Sequence, residues 1–237
     1  MPVSAPALSL PLASVRIGQP EAAEALGRAW VSAIRKVEIT GPVWLDALNL
    51  AGDLQADQKN HGGPDQALCV YSGGHYAYWS QQLSQPMLPG SFGENLTLAG
   101  DYTEHDVCLG DIFRLGGAIV QISQPRSPCY KLGLRWQTPL LPKYLQDSGR
   151  TGWYMRVLQP GLVAPTDALV LQERPYPEWP ITLVNSVKYE RREEVELVAA
   201  LVACPALGQQ WQRKLRSRLA GSAPLYDDAN RLEGPAE

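Results

Sequence analysis

The chain has 237 residues, of which 45% are hydrophobic and 19% are charged, and its formal net charge is −3 at pH 7. This length is sufficient for a sizeable hydrophobic core, in one large domain or in a main domain with a small appendage. The nearly balanced charge argues against a protein whose whole surface binds nucleic acid or a membrane.

Residues 1 to about 180 have the pattern of short strands separated by glycine and proline. The predicted strands are Leu12–Ile17, Trp30–Lys36, Val43–Leu45, Ala67–Tyr71, Asn95–Leu98, Ile112–Leu115, Ala118–Ser123, Trp153–Leu158 and Ala168–Gln172. Helical patterns occur at Glu21–Leu26, His75–Leu83 and Leu140–Leu145. The strands are too short and too irregularly connected for a repeated βαβ unit, so we expect a mainly β protein with a closed or partly closed barrel.

The pattern changes at the proline-rich segment Arg174–Pro180, beyond which helices are predicted around Ser186–Glu190, Glu193–Val202 and Leu207–Leu219. We expect a barrel domain over residues 1–180 and a small helical domain with a loose tail over residues 181–237. The last of these helices carries four cations that can dock an acidic partner or form a solvated face: Arg213, Lys214, Arg216 and Arg218.

Cysteine usage and the N-terminal segment indicate the compartment. The four cysteines, Cys69, Cys108, Cys129 and Cys204, are widely spaced and form no C-x-x-C pair. This spacing argues against a zinc ribbon, an iron–sulfur cluster and a disulfide scaffold, and it fits a reducing cytosol. Residues 1–12 are apolar but lack a positively charged start, and no apolar run reaches the length of a membrane span. We expect a cytoplasmic protein.

Two glycine-containing segments have the composition of functional loops. His61 precedes Gly62-Gly63-Pro64, so we expect it on a tight loop where the backbone can approach a ligand. A histidine that only caps a turn would have the same pattern. The second segment, Pro89–Leu96, ends in Glu94-Asn95 and can face a cofactor or simply lead into a strand. Fingerprints of serine hydrolases, P-loop enzymes and dinucleotide-binding proteins are absent from the sequence.

The run Gln124–Leu132 holds one cysteine between two cations. Prolines 125 and 128 restrict the backbone, so we expect Arg126, Cys129 and Lys131 on a stiff, non-helical loop. The two cations would favour the thiolate of Cys129, which is the form that attacks electrophiles or binds a soft metal. The alternative is that Cys129 is a small buried apolar residue in a turn.

These segments together resemble the MOSC domain family, in its YiiM-type branch of 6-hydroxylaminopurine-resistance proteins. The resemblance covers roughly residues 12 to 175 and is carried by the motifs Gly52-Asp53, His61–Ala67, Phe92–Leu96, Gly110–Arg114 and Ser123–Leu132, with a weaker likeness in the helical tail. It implies a MOSC-type β-barrel with a few short helices and a three-helix domain after it. It also implies binding of the molybdenum cofactor, a molybdenum pyranopterin.

The resemblance assigns roles to residues of this chain. Cys129 matches the cysteine that is thought to ligate molybdenum, and we predict it as metal ligand and catalytic residue. Arg126 and Asn95 match loops that face the cofactor, and Ser127, Lys131 and Lys36 are further candidate cofactor-binding residues. His61 and Asp53 are candidate catalytic residues, and the near-neutral pKa of an ordinary histidine makes His61 a plausible proton donor.

The leading hypothesis is therefore a molybdenum-dependent reductase of N-hydroxylated bases such as 6-hydroxylaminopurine. The chain has no flavin, NAD or iron–sulfur fingerprint, so its electrons would come from a separate reductase. We expect neither nucleic acid nor a membrane among its partners. A second hypothesis is a non-catalytic carrier that holds sulfur or the cofactor on Cys129. A third is an interaction protein that docks a partner through its basic last helix.

Overall fold

The computed structural model describes residues 8–222 and 228–234. In this part of the chain the strands are β1 (Ser9–Ile17), β2 (Glu21–Ala25), β3 (Arg28–Ser32), β4 (Val37–Glu38), β5 (Val43–Leu45), β6 (Leu68–Ser72), β7 (Leu96–Leu98), β8 (Ile112–Leu115), β9 (Ala118–Pro125), β10 (Trp153–Gln159), β11 (Gly161–Val163) and β12 (Ala168–Glu173). The α-helices are α1 (Gln58–His61), α2 (His75–Leu83), α3 (Tyr130–Arg135), α4 (Leu141–Ser148), α5 (Ile181–Tyr189), α6 (Val195–Ala203), α7 (Gln209–Leu219) and α8 (Asp228–Glu233).

Seven strands close into a barrel in the order β1-β7-β6-β10-β9-β8-β12, and β12 pairs back onto β1. The pairs are antiparallel except for β6 and β7, which run parallel. β9 shows how the sequence produces this wall: Ala118, Val120 and Ile122 are fully buried and alternate with half-buried Ile119 and Gln121. One face of the strand therefore lies in the barrel core. The prediction of a mainly β protein with a closed barrel is confirmed.

The segment Glu21–Leu26, predicted as a helix, is instead the first strand of a hairpin. β2 pairs with β3 in register from Glu21 and Ser32 to Ala25 and Arg28. Leu26 and Gly27 form the two-residue turn with φ angles of 53° and 73°, the left-handed conformation that tight hairpins require. The prediction is wrong because alanine and glutamate favour helix, and pairing with β3 overrides this weak preference.

The predicted strand Trp30–Lys36 is also too long. β3 ends at Ser32, and the residues up to Lys36 form an irregular segment rather than an inner strand. Basic side chains of α3 hold backbone carbonyls at the end of β3 and in this segment: Lys131 donates to Val31 O (2.9 Å) and Arg135 donates to Ile34 O (2.5 Å). The segment is therefore fixed to α3 instead of to a neighbouring strand.

The helical region after residue 180 shares a hydrophobic core with the barrel. Val184, Val198, Trp211 and Leu215 belong to the same buried cluster as the barrel residue Val120. Because of this shared core, the domain division at residue 180 stays a prediction. None of the described helices is long and apolar enough to cross a membrane.

The tail, for which we expect a loose chain, contains helix α8 over Asp228–Glu233. Its Arg231 donates to Pro128 O (2.6 Å), so this stretch is held against the segment that carries Cys129. Residues 223–227 and 235–237 of the predicted loose tail lie outside the described residues.

Candidate functional site

The predicted cysteine segment lies between a barrel strand and a short helix. β9 ends at Pro125, residues 126–129 have no regular structure, and Cys129 immediately precedes α3. The expectation of a stiff loop holds for Arg126 and Cys129. It is wrong for Lys131, which lies in the first turn of α3, because Pro128 restricts only its own φ and the residue before it, Ser127.

His61 reaches Cys129 from a different part of the chain. It ends the one-turn helix α1, whose first turn is capped by the Asp57 carboxylate accepting from Asn60 N (3.1 Å). The following Gly63 has a φ of 93°, which turns the chain sharply after His61. The side chain of His61 hydrogen-bonds that of Cys129.

This contact makes Cys129 acidic. Burial by itself raises the pKa of the thiol, but the positive charge and hydrogen bond of His61, the charge of Arg126 and the backbone N–H of Lys131 outweigh it and lower the pKa to about 7. Burial likewise opposes the charged form of His61, and Cys129 and Asp57 outweigh it and raise the pKa of the imidazole. Thiolate and imidazolium therefore stabilise each other.

Arg126 supplies a permanent cation beside this pair. It is 6% exposed, and Tyr154 hydrogen-bonds its guanidinium. Burial opposes the charge, but the neighbouring Cys69, Tyr154 and Cys129 outweigh it and raise the pKa of Arg126. Its Nη1 atom is buried and has no hydrogen-bond partner among the described residues. An arginine donor left without a partner favours an anionic ligand.

Most of the predicted site residues line one cleft. Its empty volume is about 620 Å³, part of which is open to solvent. It brings together six of the predicted residues: Lys36, His61, Asn95, Arg126, Cys129 and Lys131. We refer to it as the first cleft.

Asp53 lies behind the wall of the first cleft. It is 1% exposed and accepts hydrogen bonds from Gly18 N (2.7 Å), from Asn95 Nδ2 (2.9 Å) and from Lys36 Nζ. Asn95 in turn accepts from Cys69 N (3.1 Å). Asp53 thus orients Lys36 and Asn95, and its predicted catalytic role stays a prediction.

Ser127 is placed apart from the other predicted residues. It lines a second cleft of about 1050 Å³ of empty space, again partly open to solvent, and its Oγ accepts a hydrogen bond from Lys188 Nζ of α5. The two clefts share six lining residues: Asp57, His61, Gln66, Cys129, Lys131 and Tyr154. α7 and α8 supply part of the second cleft's wall.

Sequence reasoning missed Tyr154 and Lys188 as site residues. Tyr154 is the second residue of a predicted strand, and the alternation that predicts the strand does not indicate which side chain contacts Arg126. Lys188 is separated from Ser127 by 61 positions, and one lysine in a predicted helix carries no local signal for this contact.

Comparison with known proteins agrees with this architecture. Residues 57–170 match the MOSC domain, and residues 179–221 match the YiiM-like, 3-alpha helix domain. The first match contains most of the barrel strands, and the second contains helices α5, α6 and α7. The chain belongs to the MOSC domain family, in its YiiM-like branch. The predicted resemblance is thereby confirmed.

Three relatives share much of this chain. Uncharacterized protein YflK of Bacillus subtilis is 39% identical over 84% of this chain and 90% of its own length. Protein YiiM of Escherichia coli is 36% identical over 86% of this chain and 91% of its own length. A protein of Gibberella moniliformis named "Reductase" is 37% identical over 76% of this chain, but the match spans only 33% of that longer protein.

Solved structures show the same arrangement. The crystal structure of YiiM from Escherichia coli has a TM-score of 0.78 at 31% identity, covering 96% of this chain and 100% of that one. The crystal structure of YiiM from Geobacillus stearothermophilus has a TM-score of 0.75 at 36% identity, covering 89% of this chain and 99% of that one.

Proposed function

We propose that the protein is a molybdenum-cofactor-dependent reductase that converts N-hydroxylated bases, such as 6-hydroxylaminopurine, to the corresponding amines. The observation that carries the proposal is the acidic Cys129 thiol beside the buried, uncommitted Nη1 of Arg126. Membership in the MOSC family links the chain to the molybdenum cofactor, and the name of the Gibberella relative is consistent with reduction.

The residues of the first cleft fit the molybdenum cofactor. A thiolate is a suitable soft ligand for molybdenum, and the lowered pKa of Cys129, about 7, makes the thiolate accessible near neutral pH. Arg126 would bind the cofactor's phosphate through its uncommitted donor, and Lys131 is a second cation in the same cleft. When bound, the cofactor supplies the two-electron chemistry that cleavage of an N–O bond requires.

The protein's own residues would position the thiol and hold a proton. His61 favours the ionised form of Cys129, and Cys129 and Asp57 in turn raise the pKa of the imidazole, which favours its protonated form. It lines both clefts, so it can hold this proton next to a ligand in either of them. His61 is therefore our candidate for delivering one of the two protons that the reaction consumes.

The other reactants come from outside the chain. Two electrons and two protons convert the hydroxylamine to an amine and water, and the sequence has no flavin or nicotinamide fingerprint. A separate electron-donating reductase would supply the electrons. This chain matches only 33% of the Gibberella relative, which is consistent with a domain that works together with further reductase parts.

The test combines metal analysis with turnover. Protein made in a host that produces the molybdenum cofactor is assayed for molybdenum and for reduction of 6-hydroxylaminopurine with a chemical electron donor. We expect bound molybdenum and activity in the wild type, and loss of both in Cys129→Ser. The control is Cys108→Ser, because Cys108 lies outside both clefts and contacts Pro177 O, an acceptor that a serine hydroxyl can also use. Protein without molybdenum, together with an unaffected Cys129→Ser variant, would contradict the proposal.

A carrier of sulfur or cofactor is the second candidate, and the lowered pKa of Cys129 is the observation that favours it. A thiolate can hold a persulfide as well as ligate a metal. Mass spectrometry of freshly isolated protein distinguishes the two functions. Persulfide on Cys129 without hydroxylamine reduction by any electron donor supports the carrier.

A further inference from the structure

We propose that Ser127, oriented by Lys188, is the hydrogen-bond donor that recognises the hydroxyl oxygen of an N-hydroxylated ligand in the second cleft. The inference deepens the proposed function and rests on it for the ligand class. The sequence predicts Ser127 as a cofactor-binding residue, and here we assign it to recognition of the substrate instead.

The position of Ser127 supports this assignment. Ser127 lines the second cleft and not the first, although it is only two residues from Cys129, which lines both. A ligand in the second cleft can therefore meet Cys129 and Ser127 together. If the cofactor occupies the first cleft, the second is the remaining approach to the reacting centre for a small substrate.

The hydrogen bonding of Ser127 leaves one donor for a ligand. A lysine ammonium has donors only, so in the contact between Lys188 Nζ and Ser127 Oγ the serine oxygen must accept. The hydroxyl keeps its own hydrogen, and within residues 8–222 and 228–234 no acceptor receives it. Accepting a bond from a cation also polarises the hydroxyl and makes it a stronger donor.

Lys188 is held firmly in this position. It is 1% exposed, and its Nζ lies 4.1 Å from the ring centroid of Trp211 and 4.9 Å from that of Tyr189. Aromatic faces at these distances attract the ammonium group. Lys188 lies in α5, which packs against β9, the strand that leads into the cysteine segment. The Ser127 donor is thus aimed by a buried, ordered cation.

The hydroxyl oxygen of an N-hydroxylated ligand is an acceptor for the Ser127 donor. The substrate and the amine product differ by one oxygen atom, and a donor aimed at that oxygen binds the substrate in preference to the product. When the N–O bond breaks, two electrons from the external reductase and two protons give amine and water. Negative charge develops on the departing oxygen, and a fixed donor stabilises it without giving up its proton. Lys188 acts only through Ser127 and is a positioning residue.

A binding experiment without any electron donor tests this role separately from turnover. Molybdenum-loaded protein is titrated with 6-hydroxylaminopurine and with adenine, which lacks the hydroxyl oxygen. For Ser127→Ala we expect affinity for 6-hydroxylaminopurine to fall by about tenfold, as loss of one hydrogen bond predicts, and affinity for adenine to change by less than about twofold. Ser127→Thr should keep the preference.

The lysine is tested by a conservative and a disruptive variant. Lys188→Arg keeps a charged donor and should retain more of the preference than Lys188→Met. The control is Ser186→Ala, which removes a hydroxyl from the same helix outside both clefts. Molybdenum content identifies any variant in which the cofactor site itself is lost. If Lys188→Met does not fold, the two Ser127 variants still test whether Ser127 recognises the hydroxyl oxygen.

The outcomes separate this inference from the proposed function. Equal loss of affinity for both ligands, or a preference unchanged in Ser127→Ala, overturns the role of Ser127 even if the wild type reduces 6-hydroxylaminopurine. A preference that depends on Ser127, in a protein that reduces nothing when electrons are added, supports the recognition site and contradicts the reductase.

Discussion

Cys69 and Cys129 line the same cleft and have opposite acidity. Burial is the main influence on Cys69 and raises the pKa of its thiol to about 11, even though Arg126 and Lys36 lie nearby. Cys129 is subject to the same desolvation, but it has the additional hydrogen bond and charge of His61. The lowered pKa of Cys129 thus depends most on His61, whereas the carboxylates of Glu94 and Asp53 add to the effect of burial on Cys69.

This dependence predicts the reactivity of Cys129 in cofactor-free protein. The thiolate is the reactive form, so the rate of alkylation by iodoacetamide should rise with pH through a midpoint near 7 and fall about tenfold per unit below it. In His61→Gln the midpoint should move upward, because the favourable charge is lost while burial of the thiol remains. Peptide mass spectrometry assigns the rate to Cys129, and Cys69 serves as the internal control. An unchanged midpoint in His61→Gln would show that the imidazole does not set the acidity.

A second prediction concerns the guanidinium group. Arg126→Met should reduce molybdenum per chain by at least about tenfold in a cofactor-producing host, because the buried donor for an anionic group is removed. Arg126→Lys should recover only part of the content, since an ammonium lacks the planar fork. Arg114→Met, which removes an exposed arginine from β8, is the matched control. Full molybdenum content in Arg126→Met would remove Arg126 from the cofactor site.

Among the elements, the hairpin of β2 and β3 shows where a sequence pattern is ambiguous. Its first strand consists of alanine and glutamate, which suit a helix, and the turn signal is weakened because leucine occupies the left-handed position before Gly27. The cysteine segment carries a clearer signal, because its prolines and its charges are local in the sequence. Contacts such as those of Tyr154 with Arg126 and Lys188 with Ser127 depend on the fold, and local sequence does not encode them.

The hairpin turn offers a stabilising substitution. Leu26 has a φ of 53°, which a leucine adopts at a cost of about 1 kcal/mol and an asparagine adopts readily. Leu26 is 49% exposed, so little buried surface is lost on its replacement. Leu26→Asn should therefore raise the free energy of unfolding by up to about 1 kcal/mol, measured by urea denaturation. Leu26→Val, with a branched side chain at the same φ, should lower it, and the opposite order would contradict the turn geometry.

For the molecule as a whole, the shared core makes barrel and helices one cooperative unit. Trp211 of α7 is 1% exposed in the cluster that also contains the barrel residues. Trp211→Ala should cost about 3–5 kcal/mol of stability, as large-to-small substitutions in cores do. Far-ultraviolet circular dichroism and tryptophan fluorescence should still report coincident unfolding midpoints. Separate midpoints, with the helices unfolding before the barrel, would show two independent units and support the division at residue 180.

The closure of β12 onto β1 also determines the order of events as the chain is synthesised. Leu10 pairs with Leu169, so roughly 160 residues separate the partners. The unpaired edge of β1 remains available to other chains until β12 has left the ribosome, and ring closure is among the last steps of folding. A circular permutant that begins at β12 would shorten the separation of Leu10 and Leu169 to roughly 80 residues, but it would lengthen that between β12 and its other partner β8 from roughly 50 to roughly 180 residues. It should refold more slowly than the natural order in stopped-flow measurements, because closure entropy grows with loop length and the barrel would now close between β12 and β8; faster refolding would contradict this order of events.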